Sequence, residues 1–195
     1  MELEELEKRL LPFSRFHYRD ETAEVIDVFR MPGHAGFSYG FSVRRADNID
    51  KWYIRLPPPK VKLQGTADVL RQVAALEVLP ESVPHCAVQW SGDDDQWFGR
   101  PYFVVPQLEG DIVRVKSERI KNLPSDTRFD MARQAIGALA RIHRVDWQRA
   151  PYLGKPVSLE FDVERWDRFV KKTANRSKLL LVPEVKRLLP VSYTH

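Results

Sequence analysis

Two segments with alternating hydrophobic residues meet at the glycine-containing stretch Met31-Pro32-Gly33-His34-Ala35-Gly36-Phe37-Ser38-Tyr39-Gly40-Phe41. Before this stretch, residues 23–30 alternate between hydrophobic and polar side chains, and residues 37–43 alternate again after it. This pattern predicts two strands joined as a hairpin. The small residues at its tip would let backbone N–H groups approach a phosphate. Glycine also marks ordinary turns, so the segment by itself favours a plain hairpin turn.

The composition indicates a globular protein without disulfides. The chain has 195 residues, of which 43% are hydrophobic, and a formal net charge of only +4. This charge is too mild to require a nucleic-acid partner. Cys86 is the single cysteine and fits a reducing compartment. No apolar run is long enough to span a bilayer, and the acidic N-terminus is unlike a signal peptide. We therefore expect a soluble cytoplasmic protein that does not bind membranes.

The first half of the chain has the pattern of a small antiparallel sheet. An amphipathic helix with leucines at helical spacing is expected to end at Pro12. A third strand over 51–56 stops at three prolines, and a helix follows over about 66–79, with Thr66 as its expected cap. Two more strands, over 86–90 and 97–105, flank the acidic turn Asp93-Asp94-Asp95, which we interpret as a solvated loop. The predicted assembly is a five-stranded antiparallel sheet with one inserted helix.

Beyond Glu109-Gly110 the pattern becomes helical. A wide apolar stripe predicts a long helix over 128–143, and two further helices are expected over 161–170 and 183–189. Acidic residues interleave with the basic stretch 165–178, which we interpret as the solvated face of a helix.

Several segments carry a further signal when they are taken in order along the chain. They are Gly33-His34-Ala35-Gly36-Phe37-Ser38-Tyr39, Tyr53-Ile54-Arg55-Leu56-Pro57-Pro58-Pro59, Gly65-Thr66-Ala67-Asp68-Val69-Leu70-Arg71-Gln72, Trp97-Phe98-Gly99 with Pro101-Tyr102-Phe103-Val104-Val105 and Gln107-Leu108-Glu109-Gly110, and Leu139-Ala140-Arg141-Ile142-His143-Arg144-Val145-Asp146. Together they resemble the aminoglycoside phosphotransferase family of protein-kinase-like small-molecule kinases. Within that family the chain is most similar to the branch that resembles kinase domains fused to acyl-CoA dehydrogenases.

The resemblance implies an α+β, protein-kinase-like fold in two parts. Residues 1–106 would form the small, nucleotide-binding lobe, with the five-stranded antiparallel sheet. Residues 107–195 would hold the hinge and the beginning of a helical large lobe, truncated before the catalytic loop.

The resemblance also implies a nucleotide site. The loop residues Gly33, His34, Ala35, Gly36, Phe37 and Ser38 would cover the phosphates, although relatives often carry serine where Ala35 stands. Arg55 would pair with the α- and β-phosphates, and its fixed charge and planar fork suit that task. Gln72 stands where a glutamate usually meets this cation. Residues 106–109 would be the hinge, where Gln107 and Leu108 contribute to binding adenine through backbone N–H and C=O groups. Because Pro106 has no N–H, the donor would come from a neighbour such as Leu108.

The catalytic loop of the family begins with His-Gly-Asp, and His195 would be the first residue of that loop. No His-x-Asp followed by a suitably spaced Asn occurs in the sequence. We therefore expect these 195 residues to lack kinase activity, because the catalytic Asp and the metal-binding Asp are missing from them. Gly-Asp directly after His195, with an Asn several residues on, would support an enzyme.

Two functions remain open at this point. The first is an ATP-dependent phosphotransferase that uses Mg²⁺ and acts on a small-molecule hydroxyl. The alternative is a non-catalytic nucleotide-binding or interaction module with a degenerate kinase lobe, which Ala35 and Gln72 favour mildly. Nucleic-acid binding ranks a distant third, and the acceptor substrate cannot be read from the sequence.

Overall fold

The computed structural model describes residues 1–31, 37–110, 112–114 and 117–192. The chain separates into two compact units, Met1–Leu153 and Gly154–His195. The predicted boundary between lobes, at residues 106 and 107, falls inside the first unit and stays a prediction.

The first unit contains the predicted five-stranded antiparallel sheet, which confirms the α+β class. Its strands are β1 (Glu24–Arg30), β2 (Phe37–Arg45), β3 (Asn48–Leu56), β4 (Trp90–Gly92) and β5 (Tyr102–Pro106). They lie in the order β1-β2-β3-β5-β4, and all neighbours are antiparallel. The last two strands are shorter than predicted, because pairing begins only at Trp90 and Tyr102.

Helix α1 (Leu3–Tyr18) covers one face of the sheet. The prediction that it ends at Pro12 was wrong, since Pro12 lies inside the helix. A proline in a helix interior costs about 3 kcal/mol. Here the residues that follow it are buried: Phe13 is fully enclosed and Ser14 is 1% exposed. The packing of the second half of α1 on the sheet therefore outweighs the local preference of proline.

A β-bulge in β1 decides which side chains face α1. The register shifts between Ile26 and Phe29, and Asp27 adopts a left-handed conformation with φ of 54°. As a result Val25 and Val28, three residues apart, both pack on the α1 side. Phe29 is left on the opposite face, which simple alternation does not predict.

Helix α2 (Val69–Glu77) packs on the opposite face, against β5. Its Val69 and Val73 are buried together with Phe103 of β5. The expectation that Thr66 caps this helix was wrong: a short 3₁₀ turn occupies Gly65–Ala67, and the Asp68 side chain accepts a hydrogen bond from the Arg71 N–H at 3.0 Å. The cap thus lies two residues later than expected.

After β5 the described regular structure of the first unit is helical. It contains the short α3 (Glu118–Lys121) and the long α4 (Ser125–Ile142). The apolar residues of α4 are not covered within the described chain: Phe129 is 72% exposed and Ile136 is 67% exposed. The predicted long helix is therefore present, but it has no buried residue.

The second unit consists of α5 (Leu159–Glu164), α6 (Asp167–Lys172) and α7 (Val182–Ser192). The single helix predicted over 161–170 is in fact two helices. They separate at Arg165 and Trp166, where the Trp166 N–H bonds to the Val163 carbonyl at 3.3 Å in a tighter, 3₁₀-like turn. In the part of the chain that the structure describes, no helix is both long and apolar enough to cross a membrane.

His17 gives the fold a predictable response to acid. Its ring lies 4.3 Å from that of Phe13 and 5.1 Å from that of Trp90, centroid to centroid, and Nε2 is buried without a hydrogen-bond partner among the described residues. Burial lowers the pKa of His17 below its ordinary value of 6.5. The unfolded chain therefore takes up a proton that the folded chain resists, and stability falls as the pH drops below 6.5.

We expect the urea midpoint to decrease between pH 7.5 and pH 5.5, and to decrease less in His17→Phe. Both pH values lie above the range in which carboxylates ordinarily titrate, so the change in stability between them reports mainly on histidine. An equal decrease in the two proteins would show that protonation of His17 does not drive the loss.

Candidate functional site

We call the connection between β1 and β2, residues 31–38, the glycine hairpin. A backbone hydrogen bond closes its base. The Met31 N–H donates to the Ser38 carbonyl at 2.9 Å, beside the antiparallel pairing of β1 with β2. The predicted phosphate-loop residues Gly33, His34, Ala35 and Gly36 lie outside the described residues. Phe37 begins β2, where its backbone pairs with Leu56 of β3.

One row of residues runs across the sheet directly behind this hairpin. Ser38 of β2 is paired with Arg55 of β3, and Arg55 is paired in turn with Phe103 of β5. Directly paired residues share a face, so Ser38, Arg55 and Phe103 lie on the face on which α2 packs. Ser38 and Arg55 are half-buried. We call these three residues the Arg55 row.

A second row lies two residues further along each strand, toward the hinge. It is composed of Phe29, Gly40, Tyr53 and Val105, which are paired in that order. A Cβ at position 40 would lie 2.2 Å from Cζ of Phe29, so the Phe29 ring occupies the space that a side chain would need. The result is an apolar, aromatic surface with Phe29 43% exposed. We call it the Tyr53 row.

The Tyr53 row could be predicted only in part from the sequence. The spacing of two residues between Tyr53 and Arg55 places both side chains on one face of the strand. Phe29 could not be assigned in this way, because the bulge at Asp27 changes the alternation before it.

Gln72, rather than Glu77, lies on the face of helix α2 that holds the two buried valines. Gln72 lies between Val69 and Val73, the two buried residues of α2, and is itself half-buried. Glu77 is exposed at the last position of the helix. The half-buried polar side chain on this face of α2 is therefore an uncharged amide, which can both donate and accept hydrogen bonds.

The segment after β5 limits which backbone groups can meet a ligand. Pro106 has no N–H, and the Gln107 N–H donates to the Lys51 carbonyl at 2.9 Å. Gln107 thus continues the pairing of β5 with β3 and has no free N–H for a ligand. Leu108 is the next residue and its side chain is 60% exposed. A groove of about 530 Å³ runs between Ile49–Trp52 and Pro106–Gly110.

The described residues do not form a metal site. Across 1–31, 37–110, 112–114 and 117–192 there is no group of three or more His, Cys, Asp or Glu side chains that could hold a metal ion. In the acidic turn, Asp94 accepts a hydrogen bond from the Gln96 N–H at 2.9 Å. His195, the expected first residue of a catalytic loop, lies outside the described residues. No described residue is assigned to Mg²⁺, and no step is assigned to it.

The site combines a cation with an apolar surface on one face of a sheet. Arg55 supplies a permanent positive charge next to the base of a glycine hairpin, and the Tyr53 row supplies flat apolar area beside it. Helix α2 encloses the β5 side of this face. Such an arrangement can hold an anionic group attached to a planar, apolar one.

Comparison with known proteins identifies the family and the fold. The sequence matches the family described as "Phosphotransferase enzyme family" over residues 35–190. The fold is similar to the crystal structure of a candidate aminoglycoside phosphotransferase from Ralstonia eutropha JMP134, with a TM-score of 0.66 and 18% sequence identity. The similarity covers 94% of this chain and 52% of that one, so the chain spans about half the length of this relative. The search of curated proteins gave no match.

The structural similarity confirms the kinase-like fold, and the family match covers well over half of the sequence. The chain belongs to the phosphotransferase enzyme family.

Proposed function

We propose that these 195 residues are the nucleotide-binding part of an ATP-dependent phosphotransferase that acts on a small-molecule hydroxyl. The observation that carries the proposal is the register of β2, β3 and β5, which aligns Ser38 and Arg55 directly behind the glycine hairpin. Family membership supports phosphoryl transfer in general. ATP, the hydroxyl acceptor and the cytoplasmic location are parts of the proposal.

In this proposal the Arg55 row and the Tyr53 row contact different parts of the nucleotide. Arg55 pairs with the α- and β-phosphates, while backbone N–H groups of residues 33–38 cover them from the hairpin side. The Tyr53 row lies under the adenine ring and contributes apolar contact. ATP supplies the phosphoryl group, and the residues of this chain bind and orient the nucleotide.

The adenine edge is assigned to the backbone of Leu108. The Gln107 N–H is engaged by Lys51, which leaves Leu108 as the first residue after β5 whose N–H we assign to the base. Gln107 lines the groove beside it and contributes its carbonyl or its side chain. Residues 1–106 then act as the nucleotide-binding lobe, and residues 107–195 begin the lobe that meets the acceptor.

One observation favours a second candidate, a nucleotide-binding module without catalysis. Gln72 is the half-buried polar residue beside the buried Val73 of α2, and an amide cannot supply the negative charge that usually meets this cation. Both candidates require nucleotide binding by the same rows, so the first experiment for either is a titration of ATP into the chain.

Saturable ATP binding by isothermal calorimetry is expected, and it should be weakened by Leu108→Pro. Proline removes the N–H, and the loss of one neutral hydrogen bond corresponds to about a threefold to tenfold increase in Kd. Leu108→Ala is the matched control because it keeps the N–H while removing the same exposed side chain, and it should bind like the unmodified chain. No measurable ATP binding by the unmodified chain would refute the proposed function. Equal Kd values for the proline and alanine variants would refute the assignment of Leu108.

A further inference from the structure

A turn that follows α4 packs back onto α2. Residues Pro151–Leu153 form a short 3₁₀ turn that contacts α2, and Ala150 just before it is 6% exposed. The Tyr152 hydroxyl donates to Oδ1 of Asp68 at 3.4 Å. A residue beyond the segment that we assign as the hinge therefore contacts a helix of the nucleotide-binding lobe.

The contact is made at the start of α2. The same Oδ1 of Asp68 accepts a hydrogen bond from the Arg71 N–H at 3.0 Å and so caps the helix. Gln72 follows one turn later, next to the buried Val73. A displacement of this first turn would move Gln72 with respect to the Arg55 row, because a helix turn moves as a unit.

We propose that Tyr152 is a positioning residue, which holds the first turn of α2 through Asp68 and thereby keeps Gln72 on the Arg55 side of the sheet. The role rests on the proposed nucleotide site. Tyr152 is 51% exposed, so its hydroxyl contributes little to the core. The hydroxyl of a tyrosine is protonated at neutral pH and can therefore donate to Asp68. Burial and the neighbouring Asp68 carboxylate raise the pKa of the Tyr152 hydroxyl further.

The test is Tyr152→Phe, which removes the hydroxyl and keeps the ring. Amide hydrogen exchange in the first turn of α2 should become faster by about twofold to fivefold, and the Kd for ATP should rise by a similar factor. The global unfolding transition should stay unchanged. Tyr39→Phe is the matched control, because the Tyr39 hydroxyl donates to the Met1 carbonyl at 3.2 Å on the opposite side of the sheet. Neither the hydrogen exchange of α2 nor the Kd for ATP should change in Tyr39→Phe.

A double-mutant cycle with Asp68→Ser separates positioning from capping. Serine still caps a helix, but its shorter side chain no longer reaches Tyr152. Tyr152→Phe should therefore have no further effect on α2 exchange in the Asp68→Ser background. The proposal is overturned if Tyr152→Phe leaves α2 exchange unchanged, if it acts equally in both backgrounds, or if it lowers global stability as much as it loosens α2. The hydrogen-exchange experiment needs no nucleotide and therefore tests the contact between Tyr152 and Asp68 by itself. Absence of ATP binding would refute the proposed function and would leave that test of the contact intact.

Discussion

Replacing Phe13 with alanine is expected to lower the free energy of unfolding by about 3–5 kcal/mol. Phe13 is fully buried, and its ring centroid lies 5.7 Å from Trp90, 5.7 Å from Trp97 and 5.2 Å from Phe98. Removing it deletes the centre of the aromatic cluster and leaves a cavity that rigid neighbouring rings fill poorly. Urea denaturation followed by tryptophan fluorescence measures the loss at the cluster itself.

The control for this substitution lies on the same helix. Phe16 is 61% exposed and has a ring contact with Trp97 at 5.2 Å, so Phe16→Ala should cost only about 1 kcal/mol. Because typical domains have only about 5–15 kcal/mol of stability, Phe13→Leu serves if the alanine variant does not fold. Phe13→Leu should lower the free energy of unfolding less than Phe13→Ala does and more than Phe16→Ala does. Equal losses for Phe13→Ala and Phe16→Ala would contradict the central role of Phe13.

The second large effect is expected for Arg55→Ala, which should weaken ATP binding about tenfold to a hundredfold. A hydrogen bond to a charged group contributes about 1.5–3 kcal/mol, and each 1.4 kcal/mol corresponds to a factor of ten in Kd. Arg55→Lys should retain part of the affinity, because it keeps the charge but loses the planar fork. Calorimetric titration of ATP into the three proteins measures these differences.

Arg44→Ala is the matched control for charge. Arg44 lies on β2 of the same sheet, is exposed, and pairs with Glu24 at 3.2 Å. Its removal changes the net charge by the same amount as Arg55→Ala, and ATP affinity should stay close to that of the unmodified chain. Unchanged ATP binding in Arg55→Ala would mean that the Arg55 row is not the phosphate site.

The sheet could be predicted from the sequence because alternation is a local signal. Residues 37–43 and 51–56 alternate clearly, and both fall inside observed strands. The predictions failed where tertiary packing decides the outcome. Proline predicts a helix end, but the burial of Phe13 continues α1 through Pro12. Likewise nothing local reveals the break at Arg165 and Trp166 between two helices of the second unit.

The candidate site was predicted only where the motifs are contiguous. Arg55 and Ser38 were identified from their segments, and the structure shows in addition that they are direct partners across two strands. Spacing along β3 places Tyr53 on the same face as Arg55, but the other members of the Tyr53 row lie on different strands. The contact of Tyr152 with Asp68 likewise joins residues that are far apart in the sequence, so no local pattern reveals either arrangement. The engagement of the Gln107 N–H also depends on the register of β3 with β5.

The strand order has a consequence for how the protein folds. Strands β1, β2 and β3 are consecutive and can pair through short turns, whereas β3 meets β5 only after the chain closes over residues 57–101. Closing so long a segment costs chain entropy and slows folding. Ser38 and Arg55 can therefore come together early, and Phe103 is expected to join them last. Three consecutive prolines, Pro57-Pro58-Pro59, begin this segment and restrict its unfolded conformations, which lowers the entropy that closure must overcome.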